Sequence, residues 1–162
     1  MRSNRREAGI LLLVTLVVGL AGCAGGGPEC APYARERTGL QLHGDAASWW
    51  REAAGRYPRT ATPVPGSVLV FRRSARLPDG HVAVVERLLD GRLILVDHAN
   101  WVSGRISRDA PVADVSPGND WTVVRVWWDP IGGFGRSIYP TFGFITPGHV
   151  QAAGAPDAAA AE

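Results

Sequence analysis

His81-Val82-Ala83-Val84-Val85-Glu86-Arg87-Leu88-Leu89-Asp90-Gly91-Arg92-Leu93-Ile94-Leu95-Val96-Asp97-His98-Ala99-Asn100-Trp101 reads as two strands joined by a tight turn. Runs of β-branched and apolar residues flank Asp90-Gly91, a strong two-residue hairpin signal because both positions tolerate a positive φ. The first strand is expected over 81–88 and its return over 92–101. On the return strand, side-chain alternation puts Ile94, Val96, His98 and Asn100 on one face. Leu93, Leu95, Asp97, Ala99 and Trp101 fall on the other. Counting outward from the turn pairs Leu89 with Arg92. It sets His81 against Trp101 or, with a small slip, Asn100. His81, His98 and Asn100 are therefore expected to meet at one end of this ribbon, with Asp97 on the opposite face.

Upstream, Gly66-Ser67-Val68-Leu69-Val70-Phe71 reads as a buried strand, and Pro78-Asp79-Gly80 as a turn leading into His81. Downstream, 120–128 reads as a further strand. Residues 138–145 read as a last strand at an edge, since Pro140 lacks the N–H that a central strand donates. Before the sheet come two expected helices. The first follows Cys30 over 31–38, with Pro32 tolerable only in a first turn and Gly39 as its stop. The second runs over 46–54 behind Asp45 as N-cap, with Ala46, Trp49, Trp50 and Ala53 on one face toward a core. Helices followed by an antiparallel sheet give an α+β fold class.

A thiol at a helix start feels the positive end of the helix dipole, which favours the thiolate. Cys30 is thus a candidate nucleophile, and a small buried packing residue is the other reading. A nucleophilic cysteine needs a base and a group that orients the base. His81 and His98 can converge to supply them. A zinc site is the rival use of one cysteine and two histidines, but the close ligand pairs that mark such sites are absent. His43 and His149 have no comparable partners.

The amino terminus carries Arg2, Arg5 and Arg6, then the apolar run Gly9–Leu20, too short for a comfortable span and followed by small residues. Residues 1–22 are expected to be an export signal. Leu20-Ala21-Gly22-Cys23 resembles the bacterial lipobox, in which the cysteine is acylated and becomes the first mature residue; an ordinary cleaved signal is the alternative. Residues 23–28 read as a glycine-rich tether, spanning at most about 25 Å between Cys23 and Cys30. A Cys23–Cys30 disulfide is a further option in an oxidising compartment. Residues 29–146 form the expected domain, and 147–162 an Ala- and Gly-rich disordered tail.

All 17 basic residues are arginine and they are scattered. Beyond residue 22 there are 14 Arg against 14 Asp plus Glu. Without a concentrated basic surface, no nucleic-acid partner is expected.

The ordered set Glu29-Cys30-Ala31-Pro32-Tyr33-Ala34-Arg35, Gly44-Asp45-Ala46-Ala47-Ser48-Trp49-Trp50, Pro65–Phe71, Gly80–Val85 and His98-Ala99-Asn100-Trp101 resembles the CHAP domain, over roughly residues 28–130. The resemblance implies a cysteine- and histidine-dependent amidohydrolase or peptidase. It implies a papain-like α+β fold with two N-terminal helices packed on a small antiparallel sheet. The implied substrate is peptidoglycan, cut by an endopeptidase or by an N-acetylmuramoyl-L-alanine amidase, with no cofactor. Carried over, Cys30 is similar to the family's nucleophile and His81 to its base. His98 and Asn100 fall on the next polar pair, where the family commonly has an acidic residue and then asparagine. Histidine at 98 is closer to the related NlpC-type peptidases, which use Cys-His-His. Asn100 is assigned an orienting or oxyanion role. Glu29 departs from the glutamine often found before the family's cysteine. The chain is accordingly expected to be exported to the cell envelope and held to a membrane through a lipid on Cys23. A catalytically weak wall-peptide-binding lipoprotein is the alternative.

Overall fold

The computed structural model describes residue 27 and residues 29–148. The export signal, Cys23, the rest of the tether and nearly all of the expected tail lie outside the described residues. Eight strands run in chain order: β1 (Arg59–Thr60), β2 (Val68–Phe71), β3 (His81–Asp90), β4 (Leu93–Ala99), β5 (Ile106–Asp114), β6 (Val123–Trp128), β7 (Gly133–Phe134) and β8 (Tyr139–Ile145). They pair antiparallel in the order β1-β8-β2-β3-β4-β5-β6-β7, and β8 also pairs with β6. That last pairing joins β8, β2, β3, β4, β5 and β6 into a closed six-strand barrel.

The α+β papain-like expectation is therefore wrong. The sheet is a closed antiparallel β-barrel and helices are a minor part of it. Two features account for the error. The segment 106–114 is a full strand between β4 and β6, though its Pro111, Arg108 and two aspartates hide the pattern. And 139–145 is no edge strand: it pairs with β2 on one side and with β6 and β1 on the other. Pro140 is tolerated because it sits at the start of β8, where pairing to β6 is confined to Val123–Pro140 and Val124–Tyr139.

The second expected helix also shrinks. Ala46–Ser48 is one 3-10 turn and α2 is only Trp49–Glu52. Asp45 caps the turn by accepting from the Ser48 N–H at 2.9 Å. The first helix, α1 (Cys30–Thr38), is stopped by Gly39 in the left-handed region (φ 74°), whose N–H bonds Arg35 O at 2.8 Å.

Two cores share the barrel wall. Leu69, Phe71, Ala83, Val85, Ile94, Val96, Val112, Val124, Val126 and Phe144 fill the interior. Val68, Val70, Val82, Val84 and Ile145 face outward and are covered by Ala31 and Ala34 of α1, Leu40, Leu42, Ala46 and Trp49. This double burial is why β2 reads as an uninterrupted apolar run. Among the described residues no helix is long and apolar enough to cross a membrane.

Candidate active site

β3 begins at His81, directly after Gly80. Gly80 holds φ +73°, and a Cβ there would come within 2.7 Å of the Ala47 methyl and 2.8 Å of the Phe71 carbonyl oxygen. Only glycine fits this approach. The turn is pinned by the Ala47 N–H on Asp79 O at 2.9 Å. His81 is the Cα partner of Phe71 and shares inward parity with Ala83 and Val85, so its ring enters the open end of the barrel and is 4% exposed. On β4, His98 has the parity of Ile94 and Val96 and also points inward, 1% exposed.

The two rings meet: His81 Nε2 lies 3.1 Å from His98 Nδ1. The hairpin register explains this. Val84 opposes Asp97 and Val85 opposes Val96, and two irregularities nearer the turn absorb the extra residues. Continued outward, this register sets His81 level with Asn100, the slipped alternative rather than Trp101.

Alternation stops at Asn100, whose φ is 62°. Asparagine tolerates this region better than most side chains. Its Oδ1 accepts the Gly104 N–H at 2.9 Å, closing the loop after β4, and no bond joins it to either histidine. The left-handed residue also turns Trp101 back toward the interior. Trp101 stacks on His98 (5.3 Å, 19°) and lies 5.0 Å from His81. Strand parity placed it on the other face; the chain's local reversal decides otherwise.

Asp97 stays on the outer face. There it accepts from the Tyr33 hydroxyl and from Arg108, each at 3.1 Å, and from the Asp109 N–H at 2.9 Å. It ties α1 to β4 and β5 and does not reach the histidines. This latch was not singled out in the sequence, where nothing local marks Tyr33 and Asp97 as partners.

Cys30 stands at the first turn of α1, half-buried. It lines a cavity of about 360 Å³ together with Glu29, Asp45, Asp79, Gly80, His81 and Asn100. Burial pushes the thiol above its ordinary value. The N–H groups of Val82, Ala31 and Cys30 itself pull it back toward the thiolate, while Glu29 adds to the rise. The Val82 N–H places the sulfur beside the first residues of β3. Desolvation outweighs the helix-start effect expected from the sequence.

Both histidines are held neutral. Burial drives His81 well below the usual imidazole range, and His98 beside it adds to this. His98 is lowered to about 4, again by burial, against opposing pulls from Asp129 and Asp97. Its Nε2 is buried without a hydrogen-bond partner. Among the described residues no three His, Cys, Asp or Glu side chains are grouped so as to hold a metal ion.

No curated protein matches the chain. The family model of the CHAP domain matches residues 22–100. CHAP domains are typically hydrolases, amidases or peptidases, and the family implies a peptidoglycan substrate. The matched segment contains Cys30, His81 and His98, the side chains gathered at this end of the barrel, and the chain carries a CHAP domain.

Proposed function

We propose that this protein hydrolyses amide bonds in peptidoglycan, as an endopeptidase or as an N-acetylmuramoyl-L-alanine amidase, with Cys30 as nucleophile, His81 as base and His98 as the group that orients the base. The observation that carries the reading is the 3.1 Å bond to His98 made by His81, which lines one cavity with Cys30. With Nε2 of His81 engaged by His98, Nδ1 is the nitrogen left for the thiol. A neutral His98 accepts the His81 Nε2–H at its own Nδ1 and fixes that tautomer.

The thiol is hard to ionise alone, so proton transfer and attack are coupled. His81 takes the Cys30 proton, and the thiolate attacks the amide carbon. The oxyanion is met by backbone N–H groups at the start of α1. The C–N bond breaks as His81 returns the proton to the leaving amine. Water, deprotonated by His81, then adds to the thioester carbon and releases the acid and the thiol. His98 stabilises the imidazolium less than a carboxylate would, because it brings a dipole and no charge. Asn100 lines the same cavity, and the donor it would offer an oxyanion is its Nδ2–H, which the Oδ1 bond to Gly104 leaves free.

The test is clearing of cell wall in a gel by the wild type and by Cys30→Ala. Wild-type clearing and loss of at least about a hundredfold in the variant are expected. Equal clearing by both would refute the mechanism. The raised thiol and Glu29 beside it favour a second reading, a wall-peptide-binding protein that does not cut; retained wall binding with no clearing by the wild type is its signature. Export and lipid attachment at Cys23 complete the proposal, and mass spectrometry of the mature amino terminus checks them.

A further inference from the structure

The cleft is electrically lopsided. On the Cys30 side it carries Glu29, Asp45 and Asp79, the last two ion-paired with Arg73. Behind the histidines lies a second cavity of about 360 Å³, whose lining includes Trp101, Trp128, Tyr139, Ser137, Arg76 and Arg136 and no acidic residue. Trp101 links the two, since its ring lies 5.0 Å from that of His81, which lines the first, and meets Tyr139 of the second edge-on at 5.0 Å. Arg76 lines both cavities.

The polar groups of this second cavity are donors in want of an acceptor. Neither Arg76 nor Arg136 forms an ion pair or a side-chain hydrogen bond with any described residue, and the hydroxyls of Tyr139 and Ser137 are likewise unengaged. The Trp101 Nε1–H is already committed to Trp127 O at 3.2 Å. Two guanidiniums and two hydroxyls on an aromatic floor suit an anionic, acceptor-only group of planar shape.

We propose that this cavity binds a free carboxylate on the amine half of the scissile amide, so that the enzyme selects peptides carrying an acid there over their carboxamides. The direction follows from the chemistry. His81 must protonate the leaving amine, so that half of the substrate lies toward the imidazole and onward to Trp101 and Arg76. The inference rests on the hydrolase reading for its polarity, but the binding preference stands apart from turnover.

The experiment uses soluble muropeptides in free-acid form and after conversion of their carboxylates to carboxamides. Turnover is followed with the wild type and with the double variant Arg76→Gln/Arg136→Gln. Binding is followed by calorimetry on Cys30→Ala and on Cys30→Ala carrying both arginine changes. Both arginines are solvent-exposed, so the fold is expected to survive, and circular dichroism verifies this. The expected result is at least roughly tenfold higher kcat/KM and tighter binding for the free acid. The double variant should lose that preference, its kcat/KM and affinity for the free acid falling to those it shows for the carboxamide. A synthetic peptide spanning the cut bond, amidated on one half at a time, then assigns the side. Equal handling of acid and amide by the unmutated arginines overturns the proposal, as does a preference that survives their removal or that follows a carboxylate on the acyl half. If the wild type cuts neither form while Cys30→Ala still prefers the free acid, the hydrolase reading fails and the carboxylate site stands.

Discussion

His81 and His98 are neutral because their rings are packed inside the barrel mouth, where a charge has little solvent to stabilise it. The unfolded chain binds protons on both near their ordinary value of about 6.5, whereas the folded chain resists until much lower pH. Between these values the unfolded state holds more protons, so its share grows on acidification. Stability is therefore fully present above about pH 6.5 and falls as pH drops toward about 4, the value for His98. Chemical denaturation across this range should show the decline, and His98→Asn should flatten it. A variant with an unchanged slope would mean that the ring is not buried neutral. Asp129 acts in the other direction at the same residue. It accepts from Ser107 Oγ at 3.2 Å and raises the proton affinity of His98, so Asp129 keeps His98 from being still less basic.

Among the elements, the hairpin was the most legible in the sequence, and the site came with it. Alternation and an Asp-Gly turn suffice to bring His81 to His98 and to keep Asp97 away. What could not be read was where alternation ends. Asn100 enters the left-handed region through a loop bond to Gly104, a contact invisible in the order of residues. Strand β5 escaped for a related reason. Its register with β4 shifts between Val96 and His98, where the consecutive Arg108 and Asp109 are both exposed, so period two is broken in the middle of Ile106–Asp114. Without β5 the remaining strands look like a small open sheet beside two helices. The tertiary bond Tyr33–Asp97 was equally hidden, yet it determines where α1 sits. Replacing Asp97 by Ala leaves the Tyr33 O–H and the Asp109 N–H without their acceptor. We expect a loss of about 1–3 kcal/mol in urea unfolding, held down by the exposure of Arg108. A change below about 0.5 kcal/mol would show that α1 is held by apolar packing alone.

Viewed whole, the molecule places its proposed reactants in different layers. The histidines stand inside the barrel, while Cys30 rides on a short helix laid against its outer wall. The wall is a ring of antiparallel strands closed around a filled interior, and such a ring melts as a unit. The helix is nine residues long and attached through small side chains, Ala31 and Ala34, the Asp97 latch and an exposed Arg37–Glu86 ion pair. Heating should therefore disarm the protein before it unfolds. Wall clearing, measured after brief incubation at rising temperature and assayed without cooling, should vanish several degrees below the midpoint seen by far-ultraviolet circular dichroism. Asp97→Ala should widen the interval. Coincident loss of clearing and of strand signal would show one cooperative unit instead. The division between layers thus amounts to a thermal fuse: a cell carrying this protein would lose the proposed cutting activity in the heat while keeping an intact barrel, ready to rearm when α1 settles back on cooling.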